Sequence, residues 1–462
     1  MKTHRATVSF KTVGCRLNQA ETATIRASFE EAGFETVPFG APCDICVIHG
    51  CVVTSKAEED SARLVRSIKR RYPNTFVVLA GCAAELAAKN KGTTSFCHSR
   101  EGGNPVSDIL DSRLHGNDKL VNTPDKQSKC DISTRESADA DYLAGQSEKF
   151  NLPDILSPAG LSQRTEARNL APPRFNTKRA IVKIQDGCDF RCSYCIVPGV
   201  RGQSRSRPAA EIIEEITRLA LCGFPETVLT GANIGCYNEG GLGLAQLLEK
   251  VEAIPSLKRF RISSLEISTN ERGVIDFMAS SHKMCRSLHL PLQSGSNRIL
   301  KAMGRRYTAE KYCAIVEYAQ KRLGGFGLGT DIIVGFPGET EDDFKETEQL
   351  VRQLPFTKLH VFGYSPRPGT PAASMPEQLT GSARDARVAL LIELGLEKRK
   401  TFAQILTGKR LCLVVEKVKD GWAEGWTGEY MWARVRSNHL KPKQTAEFAC
   451  EDAEGDILIG SC

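Results

Sequence analysis

Short apolar runs alternate with longer stretches of three-to-four-residue periodicity in the amino-terminal part of the chain. Runs at 7–13, 45–49 and 76–80 read as strands. Each leads into an amphipathic helix: NQAETATIRASFEEAGF, AEEDSARLVRSIKRRY and AAELAAK. That alternation predicts a parallel sheet with helices on its faces. Polar, aperiodic chain follows from 91 to 138, after which ADYLAGQSEKFNLPDIL resumes as the last strand and helix of the first domain. Pro158, Pro172 and Pro173 mark a linker at 158–178. Six more strand–helix repeats follow, with strands at 180–184, 227–230, 260–263, 287–290, 330–334 and 358–362. They predict an open, partial TIM-type (β/α)6 barrel whose functional groups sit at the strand carboxyl ends. A helix at about 384–406 ends it. From 408 the pattern changes to five short alternating strands, LCLVVEKV, WAEGWTGEY, WARVRS, AEFACE and ILIGS, which suggest a small antiparallel barrel. The expected class is α/β, with domains at 1–157, 179–402 and 403–462.

Composition narrows this picture only modestly. At 462 residues, 41% hydrophobic and 25% charged, the chain describes two or three ordinary soluble globular domains. The start, MKTHRATVSFKTVGC, has no signal-type apolar segment, and no run has the length to span a membrane. Seventeen cysteines without an export signal point to a reducing cytoplasm and metal chemistry rather than disulfides. The net charge of +7 is compatible with a nucleic-acid partner but is weak support over this length. Within 91–138, SFCHSREGGNPVSDILDSRLHGNDK resembles a translated interspersed bacterial repeat element. The segment reads as a disordered insertion in a surface loop, where additions are tolerated. No ligand-type spacing links Cys97-His98 to Cys130.

The cysteines carry the chemistry. GCDFRCSYC places Cys188, Cys192 and Cys195 in CxxxCxxC spacing just past the first barrel strand. Three such thiolates can hold three irons of a 4Fe-4S cubane and leave the fourth open to a small ligand. A zinc knuckle would want a fourth ligand, and the nearest histidines in sequence are His115 and His282. A second set, Cys15, Cys51 and Cys82, falls one per unit at the carboxyl ends of the first three strands. In a parallel sheet those ends share one edge, so the thiols should converge, with helix amino termini favouring thiolates. Gly14, Gly50 and Gly81 precede them and should let the backbone approach a bulky cluster. Cys43 and Cys46 lie off this pattern and read as structural.

TVGCRLNQAET, HGCVVTSKAEED and LAGCAAE resemble the amino-terminal domain of the radical-SAM methylthiotransferases. GCDFRCSYC, with Tyr194 before the third cysteine, resembles the radical-SAM motif of the same family. The resemblance continues through LTGANIGCY, RISSLE, LHLPLQSGSNRILKAMGRRYT and TDIIVGFPGETEDDF, and the last domain resembles a TRAM domain. It implies two 4Fe-4S clusters, one on Cys15, Cys51 and Cys82 and a catalytic one on Cys188, Cys192 and Cys195. S-adenosylmethionine would be held by Gly231, Asn233, Ser263, Ser264, Glu266, Gln293 and Asp331. Asn18 and Glu21 match polar positions after the first cysteine, Thr54 and Ala57 match positions after the second, and His289, Arg305 and Arg306 belong to the same motifs. GCRLNQAET resembles the branch that adds a methylthio group to C2 of N6-threonylcarbamoyladenosine at position 37, in the tRNA anticodon loop. The family also implies an electron donor of flavodoxin or ferredoxin type. RNA contacts are expected from Arg434, Arg436, Lys441 and Lys443, with Trp426, Tyr430 and Trp432 nearby to stack on bases or to fill a small core. Residues 403–462 hold eight Lys and Arg against nine Asp and Glu, so that domain is not basic overall. Two alternatives stay open: action on isopentenyladenosine tRNA or a ribosomal-protein aspartate, and a non-enzymatic iron–sulfur RNA-binding protein.

Overall fold

The computed structural model describes residues 5–90, 140–156, 175, 177–267, 269–379 and 381–462. The insertion expected at 91–138, with Cys97, His98 and Cys130, lies outside the described residues, as does most of the linker. Two compact units form: 1–174 with 199–201, and 175–198 with 202–462.

The first unit is an all-parallel five-stranded sheet. Its order is Glu35–Thr36, Thr7–Thr12, Ile45–Gly50, Phe76–Gly81, Tyr142–Ala144. The strands Ile45–Gly50 and Phe76–Gly81 are buried along their whole length, which is why they read as unbroken apolar runs rather than alternating ones. Phe10 and Phe34 pack edge-on against Phe29 beneath the helix Arg16–Glu31. The helix Ser55–Arg71 is capped by Thr54, whose hydroxyl accepts from Ala57 N at 3.2 Å, and it turns Ala62, Val65 and Ile68 inward. Cys46 is buried in its strand, and Cys43 Sγ lies 3.2 Å from Ser9 Oγ.

In the second unit, six parallel strands follow one another in chain order. Ala180–Lys183, Glu226–Thr230 and Arg259–Ile262 form one sheet; Ser287–His289, Gly327–Val334 and Lys358–Gly363 form the other. Bridges Phe260–Met284 and Ser264–His289 join the two. No pairing among the described residues joins the first strand to the sixth, so the barrel stays open. Leucine, isoleucine and valine from strands and surrounding helices fill one continuous core. No helix among the described residues is long and apolar enough to cross a membrane.

Strands Arg410–Lys419, Trp422–Thr427, Trp432–Arg436, Thr445–Glu454 and Ile457–Ser461 close a small barrel. One of its pairings, Trp432–Arg436 with Ile457–Ser461, is parallel; the other four are antiparallel. It docks under the amino ends of the open-barrel strands. There Glu226, fully buried, meets Arg259 at 2.6 Å, Arg261 at 2.6 Å and Arg179 at 3.8 Å. Arg259 goes on to donate to the carbonyls of Cys412 (2.8 Å) and Trp426 (2.6 Å), and Arg261 to that of Thr427 (3.0 Å). A side chain at Gly327 would fall 2.0 Å from Glu429 O, so the two parts meet backbone to backbone.

Candidate active site

Cys15, Cys51 and Cys82 stand at the carboxyl ends of three adjacent strands. A Cβ on Gly14, whose φ is +106°, would lie 2.8 Å from Cys51 Sγ, so glycine is what lets these two segments meet. The bareness of Gly50 and Gly81 makes room for protein neighbours, Ala83 and the His49 ring. Asn18 ties the edge together: its Nδ2 donates to Val13 O at 3.0 Å and Gly50 O at 3.3 Å, and its Oδ1 faces Cys15 Sγ at 3.7 Å. Gln146 Nε2 donates to Cys82 Sγ at 3.4 Å. Behind the thiols Glu21 is buried against Lys149 (2.7 Å) and Arg201 (3.0 Å), the latter from the segment 199–201 that packs in this unit. Burial, reinforced by Cys15, pushes the Cys51 thiol up to about 11, and burial pushes Cys82 up as well.

In the second unit Gly187 opens the loop of Cys188, Cys192 and Cys195. Its φ is +69° and a Cβ there would fall 1.9 Å from Gln203 O, so no larger residue fits. Cys188 N donates to Gly202 O, and Ser193 N and Oγ donate to Met303 O and Ala302 O. Donors point at the sulfurs: Phe190 N at 3.4 Å and Asn233 Nδ2 at 3.7 Å from Cys188, and Arg305 Nη1 at 3.3 Å from Cys192. Burial and the neighbouring thiols push Cys195 up to about 12. Such groups ionise when a cation balances them.

Among the described residues no three cysteine sulfurs lie within 4.8 Å of one another. One zinc ion at about 2.3 Å from each would hold them about 3.8 Å apart. Neither triad is drawn up for a single ion, whereas a cubane spreads its ligands over separate irons. The donors aimed at Cys188 and Cys192 fit a 4Fe-4S cluster at the second triad.

The residues expected to hold S-adenosylmethionine gather at the same strand ends. Gly231 leaves no room for a side chain beside Gln185 O and Oε1, both 2.8 Å from a Cβ there. Asn233 N donates to Gln185 Oε1 at 2.8 Å, and its Oδ1 is buried with no hydrogen-bond partner among the described residues. Gln293 Oε1 is orphaned in the same way, on a backbone held at φ +64°. A buried unpaired acceptor is costly, so each of these, just past a strand end, fits a ligand that donates to it. Ser263 donates its N–H to Leu229 O, and Ser264 bridges to His289. Glu266 is engaged by Arg305, which also reaches Tyr194 and Tyr307. Burial pushes Glu266 up against the opposing pull of Arg305. Asp331 is flanked by His289 Nε2 (3.0 Å) and His360 Nδ1 (3.1 Å). Burial pushes its carboxyl up, but His289 and His360 outweigh that and hold it well below the usual range. Thr340 and Asp343 form a reciprocal capping box, the ordinary helix start that Gly-Glu-Thr suggests.

Four groups at these sites had no assigned role in the sequence: Arg305, Gln146, Lys149 and His360. Arg305 lay within a recognised motif, and His360 carried a second cue, a polar residue inside the strand run KLHVFG.

On the small barrel, Arg434 and Arg436 flank the Trp422 ring at 4.9 and 5.2 Å, with Glu424 3.5 Å from Arg434. Lys441 is exposed, and Lys443 Nζ lies 3.7 Å from the centre of the Phe224 ring, against the open barrel. Trp426 stacks on Tyr430 at 4.8 Å, with Trp432 edge-on at 5.0 Å and Arg179, Arg261 and Lys358 over the Trp426–Tyr430 pair. These aromatics belong to the docked interface.

The sequence matches the radical SAM superfamily over residues 182–351 and an uncharacterized protein family, UPF0004, over residues 7–95. Its fold resembles the radical S-adenosylmethionine methyltransferase TsrM of Kitasatospora setae, with TM-score 0.50 at 16% identity over 80% of this chain and 75% of that one. It is 32% identical to the tRNA-2-methylthio-N(6)-dimethylallyladenosine synthase of Methylacidiphilum infernorum, over 94% of this chain and 88% of that protein. It is 34% identical to the threonylcarbamoyladenosine tRNA methylthiotransferase MtaB of Bacillus subtilis, over 92% of this chain and 89% of that protein. With likeness of this degree along nearly the full length, on a fold that presents the cysteine triads at strand ends, the chain belongs to the radical-SAM methylthiotransferase family.

Proposed function

We propose that the protein adds a methylthio group to C2 of N6-threonylcarbamoyladenosine at position 37 of tRNA. The observation that carries this reading is the pair of strand-end cysteine triads, with donors to Cys82, Cys188 and Cys192, in a chain 34% identical to MtaB. Cys188, Cys192 and Cys195 would hold one 4Fe-4S cluster, and Cys15, Cys51 and Cys82 a second. A reduced cluster of the first kind, when bound, supplies the electron that cleaves S-adenosylmethionine to the 5′-deoxyadenosyl radical an unactivated aromatic C–H requires.

The chain's own part is positioning and exclusion of water. Arg305 links Cys192 to Glu266, fixing the cluster loop against the third barrel strand. Asn233 and Gln293 offer acceptor oxygens to the cofactor, and the tight fit at Gly231 keeps that face narrow. Arg434, Arg436 and Lys441 present cations to the phosphates of the anticodon arm. A flavodoxin- or ferredoxin-type donor supplies electrons, and the setting is cytoplasmic.

Mass spectrometry of tRNA nucleosides from a deletion strain tests the substrate. Loss of 2-methylthio-N6-threonylcarbamoyladenosine is expected. Its persistence with loss of the isopentenyl counterpart would move the protein to the branch of the 32% relative. Iron and sulfide after anaerobic reconstitution test the clusters: about eight irons per chain is expected, and about four would mean the amino-terminal triad holds none.

A further inference from the structure

The open barrel carries a constellation that neither cysteine triad uses. His289 ends one strand, and Asp331 and His360 face each other across the next two, in the pairing Asp331↔His360. Gly329 pairs with His289, two residues before Asp331, which puts all three side chains on one face. A Cβ at Gly329 would come 2.7 Å from His289 Nδ1, so the imidazole lies across bare backbone to reach Asp331.

Both histidines converge on the same oxygen, Asp331 Oδ1: His289 Nε2 from 3.0 Å, and His360 Nδ1 in a 3.1 Å hydrogen bond. His289 Nε2 is buried, yet despite that closeness it makes no well-aligned hydrogen bond among the described residues. A purely structural His–Asp–His relay would align that N–H. A nitrogen lone pair directed at a shared ion need not. The three ligand atoms all lie within 4.8 Å of one another, and the side chains keep 18%, 25% and 40% exposure for His289, Asp331 and His360.

We propose that His289, Asp331 and His360 form a divalent metal site separate from the cysteine triads. Two imidazoles and one carboxylate on one face are the ligand set of open six-coordinate sites. The three ligand atoms, all within 4.8 Å of one another, are close enough to share one ion. Among the ions such a ligand set takes, the proposed one is a six-coordinate first-row ion of the manganese or ferrous class. Three protein ligands leave positions open toward solvent, where an anionic oxygen of a bound ligand would complete the shell. Asp331 then serves as a metal ligand, and the expected contact with S-adenosylmethionine passes to Asn233 and Gln293.

Mn2+ tests this directly, because it prefers nitrogen and oxygen to thiolate and so ignores unloaded cysteines. Its free EPR signal is followed while the anaerobically reconstituted protein is added. Uptake of about one Mn2+ per chain is expected, with affinity in His360→Ala reduced by at least the roughly 10–100-fold that even outer-shell changes cost. Asp331→Asn should behave likewise. Cys192→Ala should bind Mn2+ as the unaltered protein does, which separates this site from the cluster assignments. No uptake by the unaltered protein, or equal uptake by a folded His360→Ala variant, would overturn the proposal.

Discussion

Replacing Glu226 with glutamine should loosen the second unit from beneath. Glu226 is fully buried, with Arg259 and Arg261 each at 2.6 Å and Arg179 at 3.8 Å. Burial alone would push its carboxyl up; Arg259, Arg261 and Arg179 outweigh this and hold it well below the usual carboxylate range. Removing one partner of such a buried set costs about 3–5 kcal/mol, because the other charges stay buried without it. Carbonyls of Cys412, Trp426 and Thr427 still accept from the two arginines, which puts the expected loss near the lower end of that span. At about 2–4 °C per kcal/mol for a large domain, the midpoint of thermal unfolding should fall by roughly 6–15 °C. A depressed folded-state pKa means the carboxylate's contribution is complete above its unfolded value, about 4.3, and is lost as pH falls below that toward the folded one. The gap between the unaltered protein and Glu226→Gln should thus be constant from neutral pH down to about 5 and shrink only in acid. Limited proteolysis should also cut the variant sooner near Gly408, freeing the small barrel. A midpoint shift under about 2 °C, or a gap that widens in acid, would refute this account.

Gln293→Ala should leave unfolding within about 0.5 kcal/mol of the original, since Gln293 Oε1 has no partner to lose. The same change should weaken S-adenosylmethionine binding by about tenfold, read by equilibrium dialysis; equal affinity would remove Gln293 from the cofactor site. For tRNA, Arg434→Ala should lower affinity and cut the slope of log K against log salt by about one, whereas Lys443→Ala, with its ammonium over Phe224, should change stability and leave that slope alone. Deleting 93–138 should preserve iron content after reconstitution, and loss of iron would show that the segment belongs to the fold.

Ile45–Gly50 and Phe76–Gly81 were legible because each is an apolar run ended by glycine, and the strand-end placement of both cysteine triads because it needs no knowledge of distant contacts. Asn233 and Gln293 were legible as polar residues just past strands. Arg305 was not: its reach to Cys192 and Glu266 spans contacts far apart in sequence, which no local pattern records. His360 meets Asp331 only through strand register. Trp426 and Tyr430 read equally as base platforms or as packing, and their mutual stacking under Arg179, Arg261 and Lys358 depends on the docked barrel. The parallel strand pair that closes that barrel was invisible for the same reason.

The floor of ion pairs beneath the open barrel also constrains the order of assembly. Arg179, Glu226, Arg259 and Arg261 leave the ribosome well before Cys412, Trp426 and Thr427, whose carbonyls complete the arginines' hydrogen bonds. Until strand Ile457–Ser461 emerges and closes its barrel, the nascent central domain exposes a charged, half-satisfied underside. A chain stalled or cut before that point carries a finished cysteine motif on an unfinished base, which makes it a ready client for chaperones and proteases.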